Sequence, residues 1–230
     1  MNITIICEVL GEANNGTSIA AYNLIEAMKK RGHNVKVVCP DKDKANLEGY
    51  YILPKKTFTP LINWILKKNE VSLAGADLKL INEACKDADV VHILVPLFIS
   101  RKVSKYIKNK LHKPITAGFH AQAENLTSHL RLMNFEFANR ITYKWYNKNV
   151  FCRADGIHYP TSFIRNYFEN VIDKKTPAYV ISNGVNPAIH KMTVIKPKEY
   201  KNKFCILFIG RLSKEKSHEV LLKANIQISC

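Results

Sequence analysis

Long apolar runs, paired cysteines and acid are what this 230-residue chain has little of. No apolar stretch approaches the ~20 residues that a helix needs to cross a bilayer, which excludes a membrane-spanning helix. The six cysteines (Cys7, Cys39, Cys85, Cys152, Cys205, Cys230) are far apart, with no C-x-x-C pair. That spacing argues against a zinc site or a disulfide framework. Cys7, Cys39 and Cys205 fall in apolar, strand-like runs and are expected to be small buried hydrophobes of a reduced cytosolic protein. No basic leader precedes the first strand in MNITIICEVLGEA, so a secretory signal is not expected. Acids number 19 against 35 Lys and Arg, a formal net charge of +16. Such an imbalance attracts nucleic acid, anionic lipid or phosphorylated ligands. The bases are 28 Lys and 7 Arg, spread over the whole length. Nucleic-acid readers lean on Arg and concentrate charge on one element. Lipid headgroups and sugar nucleotides therefore rank above nucleic acid, which is not expected as a partner.

The rest of the composition, 47% apolar and 23% charged, suits a soluble chain with a real core. Strand-like and helix-like segments alternate. Ile3–Val9 reads as the first strand, followed by the loop GEANNG and a helix that Thr17 can cap. Ala20, Leu24, Ala27 and Met28 recur at helical spacing as its core face. The helix closes on Lys29-Lys30-Arg31-Gly32, with cations and Gly at its carboxyl end. Val35–Cys39 completes a βαβ unit whose right-handed crossover carries GEANNG to the top of the sheet. That loop is not G-x-G-x-x-G and has no well-placed ribose-binding acid, so it makes a weak dinucleotide site. Further strands are expected at Tyr50–Leu53, Asp89–Val95, Pro114–Gly118, Gly156–Tyr159 and Tyr179–Ser182. Helices are expected at Asp77–Lys86, Phe98–Leu111, Asn134–Cys152 and, capped by Thr161, Phe163–Asn170. The helix Asn134–Cys152 interleaves aromatics with Arg140, Lys144 and Lys148. Its rings belong in the core, unless some face outward, where they would suit a membrane interface. Arg101, Lys105 and Lys108 line a second basic helix face, read either as solvated or as docked on anionic lipid.

After a Lys/Pro-rich linker comes FCILFIGRLSKEK. Phe204–Ile209 reads as a buried parallel strand. Gly210 turns the backbone, and Arg211 and Lys216 follow at the strand's carboxyl edge, where open α/β sheets bind ligands. A guanidinium fork and a compact ammonium a few residues apart suit a diphosphate.

Four segments together resemble glycosyltransferase family 4 of the GT-B fold: NNGTSIAAYNLIEAMKKRGHNVKVVCP, GFHAQAENLTSH, VISNGVN and FIGRLSKEKSHEVLLKA. The resemblance implies an α/β architecture, a Rossmann-like parallel sheet with helices on both faces. Residues 1–186 would be the acceptor-binding domain and 187–203 a linker. Residues 204–230 would be the start of a truncated, donor-binding second Rossmann-like domain. It implies a retaining transferase that moves a hexose from a nucleotide diphosphate sugar to a lipid of the diacylglycerol type or to a glycan. Arg211 and Lys216 match the pair that grips the donor diphosphate, which makes a metal or other cofactor unnecessary. Gly16 matches the loop glycine that lets backbone N–H groups approach the same phosphates. His120 matches the cleft histidine that contacts the transferred sugar or orients the acceptor. Asn183–Asn186 matches the turn into the hinge. Each residue also has a plainer role: Gly16 in a turn, His120 in packing, Arg211 and Lys216 as surface charge. The other seven histidines are read as structural. The expected location is cytoplasmic, peripheral on the inner face of an anionic membrane. The family's second domain continues well past the Arg/Lys motif, so weak transfer or none is expected of this chain alone. The alternative is a non-catalytic module that binds an acceptor or an anionic surface.

Overall fold

Short β-branched runs flanked by charge pair into one seven-stranded parallel sheet in the computed structural model, which describes residues 1–10, 16–54, 75–128, 132, 134–184, 189–193, 195–210 and 216–228. The strands are β1 (Asn2–Ile6), β2 (Asn34–Cys39), β3 (Tyr50–Ile52), β4 (Val90–Ile93), β5 (Ile115–Gly118), β6 (Gly156–Tyr159) and β7 (Ala178–Val180), in the order β3-β2-β1-β4-β5-β6-β7. Every pairing is parallel; Ile3 lies opposite Val35 on one side and Val90 on the other. Parallel neighbours cannot be joined by a tight turn, so helices cross between them and cover the faces. These are α1 (Gly16–Lys30), α2 (Leu78–Cys85), α3 (Ser100–Tyr106), α4 (Ala123–Ser128), α5 (Glu136–Asn149) and α6 (Ser162–Ile172).

Successive residues of β1 serve opposite faces. Ile5 and Cys7 pack with Ala21 and Ile25 of α1, while Ile6 joins a larger cluster with α2, α3, α5 and α6. Along α1 the buried stripe is Ser18, Ala21 and Ile25, with Met28 partly buried; Ala27 is exposed. The core face is thus rotated by about one residue from the expected Ala20–Leu24–Ala27 line. Thr17 does not cap this helix but sits inside its first turn. Asp77 caps α2 through the amides of Lys79 and Leu80, and Thr161 caps α6 through the amide of Ile164. The α3 helix ends in a π turn, Ile107–Leu111, closed by His112 at φ 52°.

The larger cluster is centred on an aromatic knot. Phe119 stacks on Phe151 (5.2 Å) and Tyr159 (5.3 Å), and the edge of Phe168 meets it at 4.9 Å. Tyr143 of α5 closes the ring against Phe119 and Phe168. Near the end of α6, the buried Glu169 accepts from the amide and hydroxyl of Thr176 and from Lys175, tying the helix to the start of β7.

The chain divides into two compact units, Met1–Gly184 and Val185–Cys230. In the second unit α7 (His218–Ile228) is helical and Phe208 meets His218 edge-on. The run Phe204–Ile209, expected to be a buried strand, is neither a strand nor buried: Phe204 is 93% and Ile209 86% exposed. A strand exists only by pairing, and the described residues of this unit contain no second strand. Cys205 is exposed for the same reason, whereas Cys7 and Cys39 are buried.

Phe168→Ala empties the centre of the aromatic knot and should cost about 3–5 kcal/mol of stability in urea unfolding. A loss below about 1 kcal/mol would mean that the knot is not closely packed.

Candidate functional site

The sheet reverses its direction of winding at β1: the chain proceeds through β2 and β3 on one side and through β4 to β7 on the other. β1 is followed by α1 on one face and β4 by α3 on the other, so the carboxyl edge between them is the position where open α/β sheets take ligands. The elements that converge there are the amino end of α1, the ends of β4 and β5, and the end of β6.

His120 lies two residues past the end of β5 and is partly buried. Its ring lies on the bare backbone of Gly118: a Cβ at that position would stand 2.5 Å from His120 Cδ2 and 3.0 Å from the Leu94 carbonyl oxygen. Gly118 is thus a glycine because His120 folds back over it. Thr17 Oγ1 donates to the His120 carbonyl oxygen (3.4 Å), joining the first turn of α1 to this loop. Gly16 begins the same turn and is exposed, and an added Cβ there would meet nothing within 4 Å.

Two further histidines, which sequence reasoning read as structural, stand beside His120. His158 of β6 meets its ring edge-on at 5.4 Å and donates through Nε2 to the Ile181 carbonyl oxygen (2.6 Å). His92 of β4 shares a hydrogen bond between Nδ1 and the Thr116 hydroxyl (2.9 Å), and its buried Nε2 has no partner among the described residues. Burial first, and then the neighbouring histidines, push His92 down to about 3 and His120 to about 4. Both rings are uncharged at neutral pH. Neutral imidazoles can exchange hydrogen bonds with hydroxyl groups, so positive charge for an anion must come from elsewhere. The signal for this grouping was in the sequence, since His92, His120 and His158 each sit at or near the end of an apolar strand. It became readable only once the strand order β4-β5-β6 was known.

Glu8, just past β1, is another residue that sequence reasoning passed over. Its carboxylate is buried and accepts from the Ile99 amide (2.9 Å) and the Ser100 hydroxyl (2.6 Å), fixing the start of α3 beside the carboxyl edge. Burial raises it to about 7 against the pull of these donors. An acid directly after a buried strand, in ITIICEVLG, was the available sign.

Of the residues expected to hold a diphosphate, Arg211 lies outside the described residues. Lys216 is exposed in the second unit, with Gly210 beside its side chain. Gly184 of the expected turn has φ 69°; Val185 and Asn186 lie outside the described residues. Among the described residues, no group of three or more His, Cys, Asp or Glu is arranged to hold a metal ion, and no helix is long and apolar enough to cross a membrane.

A family model described as Glycosyltransferase Family 4 matches residues 14–189. Among solved structures, sucrose-phosphate synthase from Thermosynechococcus elongatus aligns with TM-score 0.53 at 16% identity, over 80% of this chain and 48% of that one. Alr3699/HepE of Anabaena aligns in its complex with UDP and glucose (TM-score 0.50, 13% identity, 81% and 45%). Its complex with UDP-glucose gives 0.51 and 14%, over 81% and 44%. At these identities the likeness concerns the fold, and the chain spans less than half the length of each. No curated protein sequence gives a match.

Gly118→Ala should expel the His120 ring from its seat, seen as a large shift of the His120 imidazole signals in NMR with the sheet intact. An unchanged His120 signal would contradict the close contact. Acid should also destabilise the chain. Unfolded histidines titrate near 6.5, so below that pH the unfolded state binds protons that His92 and His120 refuse. The contribution of these two histidines is full above about 6.5 and is lost as pH drops towards their folded values, while Glu8, raised to about 7, acts in the opposite sense and only partly offsets it. Replacing His120 with Gln should flatten that fall in unfolding midpoints measured against pH.

Proposed function

The chain belongs to glycosyltransferase family 4, and from that premise we propose that it serves the transfer of a hexose from a nucleotide diphosphate sugar, with retained anomeric configuration, to a lipid or glycan acceptor on the cytoplasmic side. The observation that carries this reading is the union of α1 with the His120 loop at the point where the sheet reverses. A helix amino end offers free N–H groups and positive potential to phosphates. Gly16 brings no side chain to that end. His120, kept neutral by its surroundings, would contact sugar or acceptor hydroxyls through hydrogen bonds. Arg211 and Lys216 would hold the diphosphate and stabilise charge on the leaving nucleotide, a cation's role played by side chains. Structural relatives support a nucleotide sugar as partner, since HepE is seen with UDP-glucose.

A second reading is a module that binds an acceptor or an anionic surface and transfers nothing. What favours it is the pair of uncharged rings, His92 and His120, which suits hydroxyl groups better than phosphates. Donor titrations and turnover assays with a panel of nucleotide sugars separate the two. Binding and turnover, both lost in His120→Ala with the fold intact, support transfer. Acceptor binding without donor binding supports the module.

Gly16→Ala gives a sharper test of the phosphate role. The fold leaves room for a methyl group, and alanine favours a helix by up to about 1 kcal/mol over glycine. Thermal stability should hold or rise while affinity for the nucleotide diphosphate falls by about tenfold or more, or about 1.4 kcal/mol. Unchanged donor affinity would reduce Gly16 to a turn residue.

A further inference from the structure

The helix α5 buries one face and leaves a second, chemically distinct face bare. Asn139, Tyr143, Tyr146 and Asn149 point into the core. Opposite them, Phe137, Ile141, Lys144 and Lys148 form an exposed stripe at spacings of four, three and four residues, one line along a helix. Phe137 is 77% exposed and Ile141 52%. Phe135, just before the helix, is 61% exposed, and Phe163, at the start of the neighbouring α6, is 76% exposed. Water around a large apolar side chain costs about 1.5–3 kcal/mol relative to burial, and adjacent exposed ones mark a surface meant for contact.

Cations surround this apolar strip. α3 lies alongside α5, joined by Ser104 Oγ donating to the Asn149 carbonyl oxygen (3.0 Å) and by Phe98 packing on Trp145 (6.2 Å). Its outward positions are Arg101, Lys102 and Lys105, all exposed. Neither these three nor Lys144 and Lys148 pair with an acid among the described residues. The acid on α5 itself, Glu136, is engaged by Arg140 at 3.6 Å.

We infer that the outward face of α5, extended by α3, docks on an anionic phospholipid bilayer, with Phe135, Phe137 and Ile141 entering the interface and the lysines resting on headgroup phosphates. Rival occupants satisfy only half of the face. A soluble polyanion would neutralise the cations and leave three large side chains in water. A second copy would cover the apolar strip but bring like charges together. A bilayer offers acyl boundary and negative charge within a few ångströms of each other, and amphipathic basic helices partition there. Placement agrees. β5 leads at the sheet's carboxyl edge into α4 and α5, so the amino end of α5, where Phe135 and Phe137 sit, lies towards the edge that carries His120. The inference deepens the lipid-acceptor reading but does not depend on transfer.

The test is flotation of the full chain with vesicles of phosphatidylcholine alone and of equal parts phosphatidylcholine and phosphatidylglycerol, at low and high salt, without nucleotide sugar. The chain should float with the anionic vesicles and detach at high salt. The double variant Phe137→Ser/Ile141→Ser changes exposed positions, so its circular dichroism should match that of the parent. Its partitioning at low salt should drop by about tenfold or more. Lys144→Gln/Lys148→Gln should weaken binding to anionic vesicles and flatten its salt dependence. Undiminished flotation of the Phe137/Ile141 variant would overturn the proposal, as would absence of parent binding to anionic vesicles. A concentration-dependent dimer in sedimentation, abolished by Phe137→Ser/Ile141→Ser, would overturn it in favour of a second copy. Flotation that persists while no nucleotide sugar is ever turned over would leave the docking face standing and the transfer reading fallen.

Discussion

Parallel pairing on both sides of β1 is the constraint from which the rest follows. A strand with parallel neighbours on both edges has no free backbone edge, and each neighbour must be reached by a crossover over a face. Here the crossover to β2 covers one face with α1, and the path through β4 to β7 covers the other with α2, α3, α5 and α6. Both faces of β1 are therefore core, which is why the successive residues Ile5 and Ile6 are both buried and the buried Thr4 satisfies its hydroxyl on the Ala84 carbonyl oxygen. The same geometry opens the carboxyl edge, because chain leaving β1 and chain leaving β4 run to opposite faces. The amino end of α1 comes to His120 as a consequence of that winding; one long hydrogen bond between them, from Thr17, records the proximity rather than creating it.

Interior chemistry at this edge is set by desolvation more than by charge pairing. His92 and His120 lie low and Glu8 lies high, all for the same first reason, that water has been removed from around them. The result is that the two imidazoles at this edge, His92 and His120, are neutral hydrogen-bonding groups. Groups of that kind can discriminate hydroxyl patterns, because a misplaced hydroxyl leaves a buried donor or acceptor unpaired. They attract anions poorly. Binding an anion here would have to rely on the helix terminus of α1 and on residues beyond these two rings.

The sequence made the alternation of strands and helices legible, because its punctuation is local. Asp77 and Thr161 mark helix starts by their own side chains, and Gly32, at φ 78°, marks a helix end. Gly16 and His120 were singled out through the resemblance of the segments that hold them. What stayed hidden was whatever depends on the third dimension. Gly118 looked like one more strand residue; its reason is the His120 ring above it. His158 reached the site only because β6 is the neighbour of β5. The face of α1 was misjudged because Ala and Ser carry too little apolar signal to fix a helix's rotation to within one residue. The run Phe204–Ile209 misled in the other direction. Its composition says strand, but composition supplies only propensity, and strand formation needs a partner.

That last run also sets a criterion for exposed apolar surface. Phe204, Leu207 and Ile209 are bare on both sides of an extended segment, with no cation interleaved and no face buried. The exposure of such a segment carries no information about a ligand. The stripe on α5 differs in each respect. Its helix is anchored by Tyr143, which donates to Glu124 and packs in the aromatic knot, and by Asn139, hydrogen-bonded to Thr127. The opposite face is already used, and among the described residues nothing covers Phe137 and Ile141. Lysines continue the same line. Apolar exposure on an element whose other face is satisfied is a property of the finished unit, and it must be explained by something outside it.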